Sequence, residues 1–207
     1  MRTQLNSNPS LQIRIYGVDG SSSVFTQDDA VTAERMVTEA QHPGFFAQDR
    51  IIIAGRSSLT TFVVSRVSRL DLRGEGISVR KAKTPFKAPY LMEISKSDFL
   101  LALEERDLKH TERKRQQRAP GQQFEGFLDI QIISGEHLFL RVIGEAALPA
   151  ERMQRINYYL TAQSLSFRLS DGGLGIVNLA NALKVTSYPG PAEVPADVWL
   201  ANETVKP

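Results

Sequence analysis

The chain has 207 residues, of which 42% are hydrophobic and 23% are charged, a composition typical of a globular protein that can bury a core. It contains no cysteine, which excludes disulfides, thiolate nucleophiles and cysteine-ligated zinc. The formal net charge of +2 is unevenly spread, with 0 on residues 1–72, +5 on 73–118 and −3 on 119–207. The basic charge therefore belongs to the middle of the chain.

No apolar run approaches the ~20 residues of a transmembrane helix. The opening sequence MRTQLNSNPS is polar and lacks the apolar stretch of a signal peptide. We therefore expect a protein of the bacterial cytoplasm that does not contact a membrane.

Residues 11–72 are predicted to form a first α+β repeat. Alternating apolar residues on either side of Asp19-Gly20 indicate a β-hairpin. Asp28 or Asp29 can then cap a helix. Two apolar runs around a Gly-Arg-Ser-Ser turn follow at 50–64 and have the period of two further strands.

Residues 73–122 are predicted to form a basic connector. Its first part, ISVRKAKTPFKAPY, carries two prolines and reads as extended chain. Ser95 or Ser97 can cap a helix whose first turns have an apolar side. The helix becomes almost wholly polar in KHTERKRQQR, residues 109–118, so we expect its end to be solvated.

Residues 123–188 are predicted to form a second α+β repeat, and 189–207 a Pro-rich extended tail. A hairpin turns near Ser134-Gly135, and a helix follows with a proline in its first turn. Two further strands flank the turn Asp171-Gly172-Gly173.

The two repeats share more than composition. The letters AERM occur at 33–36 and again at 150–153. In both repeats the expected order is strand, strand, helix, strand, strand, short turn, strand. We therefore predict an α+β fold with two similar halves, each a small, mostly antiparallel sheet with one packed helix (ββαβββ). The alternative is two unrelated α+β segments with similar turns.

Catalytic and metal-binding motifs are lacking in the sequence. The histidines, His42, His110 and His137, have no partner at metal-ligand spacing, and there is no G-x-S-x-G or dinucleotide-binding motif. No cofactor, metal or catalytic residue is therefore predicted, although an active site between the halves stays open. Small sheets have edges that must be paired or covered. The leading hypothesis is a non-catalytic protein-binding or assembly module, with a protein partner or a homo-oligomer.

The basic connector suggests an alternative function. Arg113, Lys114, Arg115 and Arg118 could neutralise the phosphates of a nucleotide or a nucleic acid. No aromatic residue lies between them to stack on bases, so a solvated helix end is the competing interpretation.

A short motif points to the same ligand class. RLSDGGLG, residues 168–175, resembles the D/N-x-S-x-x-G motif of PilZ domains, β-barrel modules that bind cyclic di-GMP with help from an upstream R-x-x-x-R run. Ser170 and Gly173 match the motif, whereas Arg168 stands where Asp or Asn is expected. The upstream run departs as well, since Arg113 is followed four residues later by Gln117. The same residues also fit a tight hairpin turn.

Overall fold

The computed structural model describes residues 11–74, 89–106, 108, 118–191, 194–195 and 198–199. Within them the chain has an α+β architecture, with one large, mostly antiparallel sheet of nine strands, a separate two-stranded sheet and three α-helices. None of the helices in these residues is long and apolar enough to cross a membrane.

The first half contains β1 Leu11–Gly17, β2 Ser22–Gln27, α1 Ala30–Ala40, β3 Arg50–Ala54, β4 Leu59–Val63 and β5 Val67–Arg73. The connector contains β6 Tyr90–Glu93 and α2 Lys96–Glu105. The second half contains β7 Gln123–Ile132, β8 His137–Glu145, α3 Pro149–Thr161, β9 Ser164–Arg168, β10 Leu174–Asn178 and β11 Ala182–Tyr188. A 3₁₀ turn precedes the last strand of each half, at 64–66 and at 179–181.

Local signals set the ends of several elements. The Asp29 carboxylate accepts a hydrogen bond from the amide of Thr32 at 2.7 Å and so caps α1. Ser95 caps α2 in the same way. Gly20 in the β1–β2 turn and Gly135 in the β7–β8 turn have φ angles of +81° and +91°, which glycine adopts without strain.

The main sheet has the strand order β11-β7-β8-β6-β9-β10-β5-β1-β2, and only the β6–β9 pair is parallel. The expectation of a separate small sheet for each half is therefore wrong. β10 of the second half pairs with β5 of the first. All five β10 residues are buried, since β5 and β9 pair with its two edges, and the one polar side chain, Asn178, donates to the carbonyl of Val67 at 2.9 Å. The connector supplies β6, a strand that the sequence analysis did not predict.

Three apolar clusters form the core. The first joins β1 and β5 to β10 under α1 and the β3–β4 pair. The second lies among β7, β8, β9 and β10. The third is built where Phe99 and Leu103 of α2 pack on Phe127 of β7. The apolar side predicted for the first turns of α2 is thus buried at Phe99 and Leu103, whereas Leu100 is 45% exposed.

Candidate functional site

A groove between α2 and β8 is one concave candidate. It encloses about 560 Å³, and its lining combines apolar side chains such as Phe99 and Phe139 with the ionisable side chains of Glu93, Lys96, Asp129 and His137. His137 Nδ1 lies 2.6 Å from Asp129 Oδ1 beside this groove. Sequence analysis missed the pair, although its hairpin contained the signal. A turn at 134–135 brings residues 129 and 137 to diagonal positions on β7 and β8.

An imidazole held by a carboxylate can act as a general base. Acyl transfer would also need a nucleophile within reach, and no hydroxyl or thiol lies among the side chains that line this groove. The described residues also hold no cluster of three or more side chains that could ligate a metal ion. The lining of the groove therefore suits a ligand that has both an apolar part and a charged part.

A second candidate is the charged outer face of β1 and β5. Asp71 is fully buried there, and its carboxylate receives hydrogen bonds from Arg69 Nε at 2.6 Å and from the Tyr16 hydroxyl at 3.1 Å. Arg73 lies 3.3 Å from the same carboxylate. Burial and the neighbouring Asp71 charge raise the pKa of Tyr16.

This cluster ties several strands together. Arg69 also contacts Glu93 of β6 at 2.7 Å, and Arg73 contacts Asp171 of the β9–β10 turn at 2.6 Å. Because the guanidinium groups are already paired with carboxylates, they are poorly placed to receive a phosphate. The cluster is best explained as an internal ionic tie between the two halves.

The predicted phosphate-binding residues of the connector are only partly described. Arg113, Lys114 and Arg115 lie outside the described residues. The Arg118 guanidinium donates to the carbonyl of Gln123 at 3.1 Å, next to its own position in the chain. Its side chain is therefore directed toward the start of β7 by this bond.

Of the PilZ-like motif residues, Arg168 ends β9, and Ser170 and Gly173 lie in the turn between β9 and β10. Arg168 and Ser170 are exposed, whereas Gly173 is buried. A Cβ on Gly173 would lie 2.6 Å from the carbonyl oxygen of Leu72 in β5. Packing against β5 therefore requires a glycine here whether or not a nucleotide binds.

The β3–β4 hairpin has a third candidate surface, its outer face. Its inner face packs on the core, where Phe62 meets Phe25 edge to face at 5.8 Å. The outer face exposes Ile52, Leu59 and Val63 to solvent. Strands with apolar residues on both faces are normally covered on both faces. The apolar side chains on the outer face of β3–β4 are instead exposed to solvent.

The open edge of β4 adjoins this outer face. β4 pairs only with β3 among the described residues. Its sequence, LTTFV, contains no charged residue and no proline, two of the devices by which natural proteins protect an edge strand. A cleft of about 440 Å³ opens beside it, between Thr61, Phe62 and Val63 of β4 and the β1–β2 turn.

No protein-family model matches the chain, and no curated protein or solved structure matches it either.

Proposed function

We propose that the protein is a non-catalytic assembly module, built from a duplicated α+β unit, which binds a protein through the β3–β4 hairpin. The observation that carries this proposal is the uncovered outer face of that hairpin. Exposed neighbouring apolar side chains beside an unprotected strand edge favour association with another polypeptide.

Corresponding backbone hydrogen bonds support a duplication. The backbone amide of Val18 donates to the backbone carbonyl of Arg66 at 3.0 Å. At positions 115 residues later, the backbone amide of Ile133 donates to the backbone carbonyl of Asn181 at 3.1 Å. Both bonds join a hairpin turn to the 3₁₀ turn before the last strand of its half. Independent α+β segments would have no reason to share this connection.

Strand register supports the duplication as well. Tyr16 pairs with Arg69, and 115 residues later Gln131 pairs with Lys184. Each pairing is followed by a β-bulge at the corresponding place in its ladder. Bulges are specific features of a fold, so their recurrence at one shift favours a common origin of the two halves.

The ends of the hairpins correspond too. The backbone amide of Val64 donates to the backbone carbonyl of Asp49 at 3.0 Å, and the backbone amide of Leu179 donates to the backbone carbonyl of Gln163 at 2.9 Å. The shift is 115 residues for the donors and 114 for the acceptors, because the β9–β10 turn is one residue longer than the β3–β4 turn. β3–β4 therefore corresponds to β9–β10.

Site-specific photo-crosslinking in the native cells tests the proposal. A photoreactive phenylalanine analogue at Ile52, on the outer face, should give discrete crosslinked species. The same analogue at Val31 of α1, which is more exposed than Ile52 (78% against 60%), should not. Val63→Lys on the same face should abolish the crosslinks. Equal yields at positions 52 and 31 would contradict the proposal.

A further inference from the structure

The β10–β5 pair joins the two halves of the main sheet. Leu174 lies opposite Leu72, and Ile176 lies opposite Leu70. All four side chains are at most 3% exposed and belong to one core cluster. The β9–β10 hairpin of the second half is thus extended at its β10 edge by β5, the last strand of the first half.

The reciprocal pair does not form within the chain. A shift of 115 residues relates β10 to β4 and β5 to β11. β4 pairs only with β3, and β11, at the end of the main sheet, pairs only with β7 among the described residues. One chain therefore presents two open edges that correspond to the two strands already joined at β10–β5.

The side chains at these edges fit such a pair. Leu59 and Thr61 are exposed on the outer face of β4. Val185 of β11 lies opposite the buried Ile130 of β7, yet is 49% exposed. Val185 corresponds to Leu70 of β5 in the first half, and the Leu70 side chain is covered by the neighbouring strand β10. Val185 of β11 thus lacks the neighbouring strand that Leu70 of β5 has.

We propose that β4 of one copy pairs antiparallel with β11 of a second copy, with Leu59 opposite Ser187 and Thr61 opposite Val185. This inference rests on the proposed function and names its partner. The two open edges of the same chain remain apart in the structure, so the matching strand comes from another molecule. The cleft beside β4 is the place where that strand enters.

The interaction is expected to be weaker than the internal pair. At β10–β5 the opposed side chains that belong to the first core cluster are three leucines and one isoleucine. At β4–β11 they are one leucine, one threonine, one valine and one serine. Less apolar area is buried, so the association should be reversible and concentration-dependent.

Engineered disulfides test the proposed β4–β11 register. Because the chain has no native cysteine, only the introduced cysteines can form disulfides. Purified Thr61→Cys and Val185→Cys proteins are mixed under mild oxidation. Directly opposed strand residues have Cα atoms about 4.5–5.5 Å apart, within disulfide range. The control replaces Val185→Cys by Val24→Cys on β2, the edge strand at the other end of the sheet. Val24 is similarly exposed, at 46%.

We expect the mixed 61–185 disulfide to form at least about tenfold faster than the 61–24 disulfide, because pairing raises the effective concentration of the two thiols. Equal rates would overturn the inference. So would an intrachain disulfide in the Thr61→Cys/Val185→Cys double variant without any disulfide in the mixture. If position 52 still crosslinks to a different protein in cells, the proposed function stands and only the second-copy partner fails. If it crosslinks to nothing, both fail.

Discussion

In the duplication that we propose, the hairpins β3–β4 and β9–β10 occupy corresponding places in the two halves, yet their surroundings differ. β9–β10 is inserted between β6 and β5, so both of its edges are paired. β3–β4 forms a sheet of its own with exposed residues at every second position. The difference shows that burial of a strand depends on what lies beside it and not only on its own pattern.

The same contrast extends to the sheet faces. In the second half, α2 covers β7 and β8 with the aromatic side chains of the third cluster. On the corresponding face of the first half lie Arg69, Asp71 and Arg73, which pair with one another and with neighbouring strands. The apolar face of the second half is thus covered by a helix, whereas the charged side chains on the face of the first half form ion pairs with one another and with neighbouring strands.

The largest difference in the effect of a substitution on stability is expected between two corresponding leucines. Leu174 of β10 is 0% exposed, whereas Leu59 of β4 is 69% exposed. Leu174→Ala should lower the free energy of unfolding by about 2–5 kcal/mol, because it leaves a cavity in the core. Leu59→Ala should change it by less than about 0.5 kcal/mol in dilute protein. Urea denaturation followed by circular dichroism measures both.

The result would also sharpen the assembly proposal. If Leu59→Ala costs nothing in dilute protein but lowers stability at high concentration, Leu59 is buried only on association. A large loss at every concentration would instead show that the outer face of β3–β4 is covered within the monomer, against the structure described above.

An intermediate effect is expected at Gly175 of β10, which corresponds to Thr60 of β4. A Cβ on Gly175 would lie 2.3 Å from two ring carbons of Phe167, a fully buried side chain. Gly175→Ala should therefore cost about 1–3 kcal/mol through overpacking. Thr60→Ala, the matched change on β4, should cost clearly less in the same denaturation experiment. Unchanged stability of Gly175→Ala would mean that the Phe167 ring moves aside freely.

Much of the local structure could be predicted from the sequence. Asp19-Gly20 and Ser134-Gly135 specify hairpin turns because glycine adopts a positive φ without strain. Asp29 was one of two predicted caps for α1. These features depend on residues close together in the chain, where one local interaction decides the outcome.

Long-range pairing could not be predicted in the same way. Any apolar strand can pair with another, and nothing in the letters of β10 selects β5 as its neighbour. β6 has only four residues and no distinctive pattern. Asp71 reads as a surface carboxylate until the fold brings Arg69, Arg73 and Tyr16 around it. The pattern of β3–β4 likewise predicts only an ordinary strand pair, because the exposure of its outer face depends on the order of the strands in the sheets.

The smallest effect is expected at the ion pair that ties the β9–β10 turn to β5. Burial alone would raise the pKa of Asp171, but hydrogen bonds from the Arg73 guanidinium and the Gly173 amide hold it below its ordinary value. A carboxyl whose pKa is lowered by folding stabilises the protein above its ordinary pKa. That stabilisation is lost as the pH falls through the lower, folded-state value.

Asp171→Asn should therefore cost no more than about 1 kcal/mol at pH 7, since the carboxylate is half exposed and screened by solvent. The difference from the unmodified protein should shrink as the pH falls below about 4, where the carboxyl becomes protonated in the unfolded chain. The matched change on the other hairpin is Ser58→Ala, in a turn closed by the hydrogen bond from the Gly55 amide to the Ser58 carbonyl. It removes no charge and should show no dependence on pH. A loss for Asp171→Asn that is equal at pH 7 and pH 3 would show that the turn is held by packing of Gly173 on β5 and not by the ion pair.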